Sequence, residues 1–263
     1  MYKPKKSLGQ NFLRDAAVVR RIVDAAALTR ESAVVEVGPG EGVLTAALAA
    51  AAGRVIAVEV DADLVARLRE RFARHDNVTI VHADIRRVYL KELLAREGVA
   101  QYVVVANLPY YITSSIVRLF MENKDAPPTH LVLMVQKEVA ERIMAPPGAM
   151  SILSVAVQYY GGVQPVCDVP RTAFDPVPNV DSAVIRIDHH GVRTSADEDK
   201  AFFRIVRAGF SARRKMLANN LASSLQLDRG AVRDALVACG ALPTARPQEL
   251  SVAQWQKLTT VLE

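Results

Sequence analysis

Val34-Val35-Glu36-Val37-Gly38-Pro39-Gly40-Glu41-Gly42 is the stretch whose reading decides the fold. A continuous apolar run, interrupted only by Glu36, passes into three alternate glycines, and a helical pattern over 43–51 follows. Glycine tolerates positive φ and lets backbone approach a ligand closely; a helix that starts behind such a turn aims its N–H groups at that ligand. The spacing is Gly-x-Gly-x-Gly, not Gly-x-Gly-x-x-Gly, and taken alone the turn also reads as an ordinary tight strand-to-helix connection.

Outward from this turn, short apolar runs alternate with helical spacing. The runs cover 33–37, 55–60, 78–81, 102–106 and 131–135; helical spacing marks 43–51, 64–72 and 115–120. Continuous rather than alternating runs suit strands buried on both faces of a parallel sheet, and helices between them imply crossovers. The expectation is an α/β fold with a doubly wound, mostly parallel sheet. After Pro146-Pro147-Gly148, residues 151–160 and 182–187 read as two further strands, an antiparallel addition at one edge, separated by the proline-rich 170–178. From Asp197 onward the pattern is helical, broken at Gly230, Gly240, Pro243 and Pro247. A catalytic domain over 1–190 and a smaller, all-helical domain over 191–263 are expected.

The chain has 263 residues, 51% of them apolar, enough for one α/β domain and a smaller partner. No run of about 18 uncharged apolar residues predicts a membrane span, and Gly9-Gln10-Asn11 interrupts the basic start before a secretory apolar stretch. Cys167 and Cys239 fit no metal-ligand spacing or disulfide framework, and His75, His82, His130, His189 and His190 lack ligand spacing. No bound metal and a reduced, cytoplasmic setting are expected. The net charge is +5, and its placement is uneven: 1–21 carries six Lys/Arg against one acid, and 186–263 carries twelve against eight. Basic ends around a mildly acidic middle suit a polyanionic partner, though solubility charge alone gives the same count.

Three segments carry chemistry. Glu59 ends the second strand, 21 positions beyond Gly38, where an acid can accept hydrogen bonds from ribose hydroxyls. Asp84 follows the third strand and reads equally as an acceptor for an adenine amino group or as a helix N-cap. Acids at 36, 59 and 84 on successive strand ends make a nucleoside the better reading. The second segment is Asn107-Leu108-Pro109-Tyr110-Tyr111, directly after the fourth strand. The lone pair of an aromatic base amine is delocalised, so the Asn107 side-chain oxygen and the Leu108 carbonyl are expected to take its two hydrogens and direct the lone pair. Pro109 keeps Leu108 extended, and Tyr110 offers a face for an extruded base. In the third segment, Phe174-x-Pro176-x-Pro178-x-Val180-x-Ser182, Phe174 either covers the other face of that base or tucks into the core.

Together, Lys6-x-x-Gly9-Gln10-Asn11-Phe12-Leu13, the Glu-x-Gly-x-Gly turn, Glu59, Asp84, Asn-Leu-Pro-Tyr and Pro170-Arg-x-Ala-Phe-x-Pro-x-Pro-x-Val-Asp-Ser resemble the small-subunit ribosomal RNA adenine dimethyltransferases. The resemblance runs in order from residue 6 to the C-terminus. It implies a Rossmann-like methyltransferase fold, S-adenosyl-L-methionine as methyl donor, and dimethylation of two adjacent adenosines near the 3′ end of small-subunit rRNA. It further implies action by a monomer on a partly assembled subunit, with no membrane partner. By matching position Asn11, Leu13, Gly38, Glu59, Asp84 and Asn107 would contact the donor. Asn107, Leu108, Pro109, Tyr110 and Phe174 would form the catalytic, base-holding set. The 191–263 domain would bind RNA through Arg213, Arg214 and Lys215, on the expected helix Phe210-Ser-Ala-Arg213-Arg214-Lys215, which resembles the family's basic helix. Ala212 departs from the glutamine often found there. Without the resemblance, Asn11 reads most simply as a helix N-cap.

Rival readings are a large-subunit adenine methyltransferase of the antibiotic-resistance type, a glutamine methyltransferase, and a non-catalytic assembly factor. The Pro-Arg-x-Ala-Phe and Val-Asp-Ser-Ala segments favour the small-subunit family, Leu108 departs from Asn-Pro-Pro-Tyr, and a pure binder has no use for Asn107 or Glu59. No P-loop and no Gly-x-Ser-x-Gly elbow occurs.

Overall fold

The computed structural model describes residues 4–5, 9–192 and 194–263; Lys6, the first residue of the quoted resemblance, lies outside them. In chain order the first elements are β1 (Phe12–Leu13), α1 (Ala16–Ala26), β2 (Ala33–Val37), α2 (Val43–Ala51), β3 (Arg54–Glu59), α3 (Ala62–Arg71), β4 (Val78–His82) and α4 (Leu90–Arg96). They continue with β5 (Val103–Asn107), α5 (Thr113–Met121), β6 (His130–Gln136), α6 (Lys137–Ile143), α7 (Ile152–Tyr160), β7 (Gly161–Val169), β8 (Phe174–Asp175) and β9 (Ser182–His189). The remaining helices are α8 (Ala196–Gly209), α9 (Leu217–Leu225), α10 (Arg229–Ala238) and α11 (Val252–Leu262).

Seven strands form one sheet in the order β4-β3-β2-β5-β6-β9-β7. The first five are parallel, and β9 and β7 add antiparallel at one edge. All five residues of β2 are buried, which explains why its sequence is an apolar run with no alternation. One face is covered by α1, whose Val18, Val19, Ile22 and Ala26 recur at helical spacing, and by Leu44 and Leu48 of α2. From β2 the chain builds outward through β3 to β4, then returns to the other side of β2 at β5. That reversal opens a crevice beyond the carboxyl ends of β2 and β5, where doubly wound sheets hold ligands.

The structure corrects the reading of residues 151–160: they form helix α7, and the strand is the following segment, β7. Ser154, Val155, Ala156, Val157 and Tyr160 are buried and the exposed Ile152 is itself apolar, so no exposed polar face marks the helical period in the sequence. Ser151 caps the helix, its Oγ accepting from Ser154 N–H at 3.2 Å. The true strand carries Pro165, which a sheet tolerates at its edge, and β7 is the edge strand, irregular between Pro165 and Cys167.

The chain divides into two compact units. The first runs to Ala140 and resumes over Gly161–Gly191; the second comprises Glu141–Tyr160 and Val192–Glu263. Glu141–Tyr160 groups with the second unit, whereas the sequence division places it within 1–190. Within the second unit α7 supplies aromatic packing: Tyr159 stacks on Phe202 with ring centroids 4.1 Å apart, and Tyr160 Oη donates to the buried Asp199 carboxylate at 2.9 Å. Elsewhere in that unit a side chain on Gly209 would run into the Trp255 ring, so this close approach requires glycine.

A second correction concerns Arg213, Arg214 and Lys215. They occupy an exposed turn between α8 and α9, beyond a short 3-10 stretch over Phe210–Ala212, and not a helix. Asn220 Nδ2, buried in α9, donates to the carbonyls of Gly209 at 2.6 Å and Ala212 at 2.9 Å, satisfying the end of α8 so that the chain can leave it. Arg213 donates to Met150 O at 3.3 Å.

Candidate active site

The crevice is lined by the strap 9–13, the glycine turn, the end of β3, the segment 83–86, the 107–112 loop and Phe174. All of these belong to the first unit.

At the turn, Gly38, Gly40 and Gly42 have φ of 69°, 58° and 79°, the left-handed region that favours glycine. Their surroundings differ. A Cβ on Gly42 would meet Leu68 and Phe72 at 2.8 Å, whereas one on Gly38 would meet nothing within 4 Å. Gly42 is therefore glycine for packing, and Gly38 faces open space at the crevice.

Glu59 is 5% exposed, and its carboxylate is held by three backbone donors: Val60 N–H at 2.9 Å and Asp61 N–H at 3.0 Å on Oε1, and Gly40 N–H at 3.2 Å on Oε2. Burial pushes its pKa up, and these donors pull it back. The Gly40 bond ties the end of β3 to the glycine turn. Glu36 lies deeper, 1% exposed, with Oε2 unpartnered. Burial pushes its pKa up to about 8, the Thr45 hydroxyl opposes this, and the Glu59 charge adds to it.

Asp84 accepts from Arg86 three times: from backbone N–H at 3.0 Å, Nε at 2.9 Å and Nη2 at 2.6 Å. The N-cap reading is thus realised, on the 3-10 turn Ile85–Arg87, while Asp84 also lines the crevice. The Arg86 guanidinium, first among these influences, holds the Asp84 carboxyl below its ordinary value.

On the other side of β2, Asn107 ends β5 and its Nδ2 donates to Asn11 O at 3.3 Å. That bond commits the amide nitrogen to the strap and leaves Oδ1 as the acceptor. Leu108 is buried, its N–H donating to Met134 O at 3.1 Å. Tyr110 Oη lies 3.1 Å from Ser182 Oγ at the start of β9. Tyr111, next in the chain, is 62% exposed.

Asn11 caps no helix: Asp15 caps α1, and Asn11 Nδ2 donates to Gly9 O at 3.3 Å. Leu13 is buried and pairs with Phe174 in a two-stranded antiparallel ladder of β1 with β8. This ladder joins segments some 160 positions apart, and neither of its two-residue strands has a sequence signal. Phe174 is 4% exposed; it packs with Leu13, Val169 and Ala173 in the core and also forms part of the crevice wall. The crevice therefore gathers Asn11, Leu13, Gly38, Glu59, Asp84, Asn107, Leu108, Pro109, Tyr110 and Phe174. Arg213, Arg214 and Lys215 belong to the other unit.

Four participants escaped the sequence reading. Arg86 and Tyr111 line the crevice. Ser182 stood in the quoted Val-Asp-Ser segment without a role. Asp61 anchors the strap, accepting from Lys5 Nζ at 2.7 Å and Gln10 Nε2 at 3.2 Å. Two had a local signal: Tyr111 ends the quoted Asn-Leu-Pro-Tyr-Tyr segment, and Ser182 stands at the end of the proline-stiffened loop.

The arrangement suits a nucleoside with a charged tail. A buried carboxylate organised by backbone donors can take vicinal hydroxyls, a second acid can take an amine, and the open glycine edge admits a ligand against backbone. Among the described residues no group of three or more His, Cys, Asp or Glu is placed to hold a metal ion, and no helix is long and apolar enough to cross a membrane.

Comparison with known proteins agrees with this geometry. The family model described as ribosomal RNA adenine dimethylase matches residues 1–262. A Geobacillus thermodenitrificans protein named ribosomal RNA small subunit methyltransferase A is 42% identical over 266 residues, covering 98% of this chain and 90% of that one. The protein of the same name from Enterococcus faecalis is 41% identical over 267 residues, covering 98% and 90%. Among solved structures, the 23S rRNA methyltransferase ErmE aligns with a TM-score of 0.77 at 29% identity, covering 96% of this chain and 99% of that one. A dimethyladenosine transferase from Plasmodium falciparum shares the fold, with a TM-score of 0.76 at 24% identity over 94% of this chain and 95% of that one. With its crevice acids, its Asn-Leu-Pro-Tyr loop and a family match spanning nearly every residue, the chain belongs to the ribosomal RNA adenine dimethylase family.

Proposed function

We propose that the protein uses S-adenosylmethionine to dimethylate the exocyclic amino groups of two adjacent adenosines near the 3′ end of small-subunit rRNA. It acts as a cytoplasmic monomer on a partly assembled subunit. The observation that carries this reading is the bond from Asn107 Nδ2 to the strap, which orients the amide so that Oδ1 is the acceptor beside the crevice.

When bound, the donor supplies a methyl group on a positively charged sulfur. Glu59 would hold its ribose hydroxyls, Asp84 its adenine amine, and the open edge at Gly38 its amino-acid end, with Asn11 and Leu13 closing the strap side. The orphaned Glu36 oxygen and the vacant space over Gly38 fit such a ligand. For the target base, Asn107 Oδ1 and the Leu108 carbonyl accept the two amine hydrogens, which orients the lone pair and costs no reorganisation at the moment of transfer. Tyr110 stacks on the extruded ring, its hydroxyl anchored at Ser182, and the amine sheds its proton to solvent after methylation. Phe174, packed in the core, serves as a wall behind the base.

The likeness to ErmE supports one alternative, an adenine of large-subunit RNA, but at 29% identity it is weaker than the 41–42% shared with small-subunit enzymes. Incubating the protein and labelled donor with purified small or large subunits separates the two. Label in small subunits alone is expected; label in large subunits alone would reject the proposal.

A further inference from the structure

The two consecutive tyrosines of the 107–112 loop face different tasks. Tyr110 is tied to Ser182, whereas Tyr111 is 62% exposed and still part of the crevice lining. The Tyr111 ring lies over the strap: a Cβ on Gly9 would sit 3.5 Å from both its Cδ1 and Cε1. That contact leaves the residue largely open at the crevice mouth. Arg86 lines the same crevice, with its side chain 48% exposed. Arg87, next in the chain, is exposed as well. An exposed ring and an exposed guanidinium lining one crevice are the combination that holds single-stranded nucleic acid, with a base on the ring and a phosphate on the cation.

We propose that Tyr111 and Arg86 form a platform at the crevice mouth for the nucleotide adjoining the target adenosine, the ring stacking on its base and the guanidinium meeting its phosphate. The proposal rests on the RNA-adenine reading above and deepens it. Extruding one adenosine removes a stacking partner from its neighbour, and a ring at the mouth replaces it. For a substrate with two adjacent adenosines, the platform gives the waiting one a defined place while the other is in the crevice. Three of the five donor groups of Arg86 remain available while it holds Asp84 through Nε and Nη2, so the ion pair does not prevent a phosphate contact.

The test uses the full chain and purified small subunits lacking the modification, comparing wild type with Tyr111→Ala, Tyr111→Phe and Arg86→Gln. Methylation of these subunits by wild type is the control for the functional reading itself; its failure would sink that reading and leave the platform without a substrate. With the control satisfied, Tyr111→Ala should lose about tenfold in kcat/KM for subunits, the scale of one base stack, while Tyr111→Phe stays within about twofold. Cofactor affinity of both tyrosine variants, by calorimetry, should match wild type. Arg86→Gln should lower the salt dependence of subunit binding by about one phosphate contact. The platform is overturned if Tyr111→Ala keeps full kcat/KM, if Tyr111→Phe is as damaging as alanine, if cofactor affinity falls in step with kcat/KM, or if the Arg86→Gln salt slope is unchanged.

Discussion

Glu59 and Asn107 sit on either side of the crevice and should fail in different ways when altered. Glu59 is organised by three backbone donors, so Glu59→Ala removes a prepared acceptor and should weaken donor binding by about 1–3 kcal/mol. Calorimetry showing unchanged affinity would remove Glu59 from the site. Asn107→Ala should instead lower the methylation rate about 100-fold or more with a much smaller change in donor affinity, because its oxygen matters most as the amine attacks. Equal losses in rate and affinity would contradict that role. Glu36 gives a pH signature. The folded chain keeps its proton to about pH 8, so its contribution to stability is fully present below about pH 4.5 and is lost as pH rises through 8. Glu36→Gln has no proton to lose. Its unfolding free energy, from denaturant titrations across pH, should gain on wild type across that window, by about a few kcal/mol at most; parallel profiles would count against a buried, protonated Glu36.

Elements explain why the site was partly legible in the sequence. The glycine turn and the acids at 36, 59 and 84 were readable because each sits at or near the end of a parallel strand, where apolar run and position agree. The β1–β8 ladder was not, since two-residue strands carry no pattern, and residues 151–160 read as a strand because burial hides their helical period. Arg213–Lys215 read as helix because the carbonyls that stop α8 are satisfied by Asn220, a residue outside the segment. Gly38 and Gly42, four positions apart, give a test at this scale. Gly42→Ala drives a methyl into Leu68 and Phe72 and should destabilise the fold by about 1–3 kcal/mol. Gly38→Ala meets only the strain of positive φ, so its main effect should be on donor binding. Thermal denaturation paired with calorimetry distinguishes them; equal stability losses would mean that Gly38 is also a packing position. Phe174→Ala should cost about 3–5 kcal/mol of stability, as a buried core ring, before any effect on RNA is read.

At the scale of the whole molecule, the net charge of +5 is concentrated toward the chain ends, and a small-subunit substrate should be bound with strong salt dependence. Neutralising Arg213, Arg214 and Lys215 together should weaken subunit binding and flatten its salt slope, with donor affinity intact. Arg213 should contribute least because it also donates to Met150 O. The central claim concerns which atoms receive methyl groups. The direct measurement is to treat small subunits lacking the modification with labelled donor, digest their RNA and locate the label by mass spectrometry, for wild type and Asn107→Ala. Two adjacent dimethylated adenosines near the 3′ end with wild type, and almost none with Asn107→Ala, is the predicted result. Label on another base or on a ribose, or an undiminished yield from Asn107→Ala, would contradict the account.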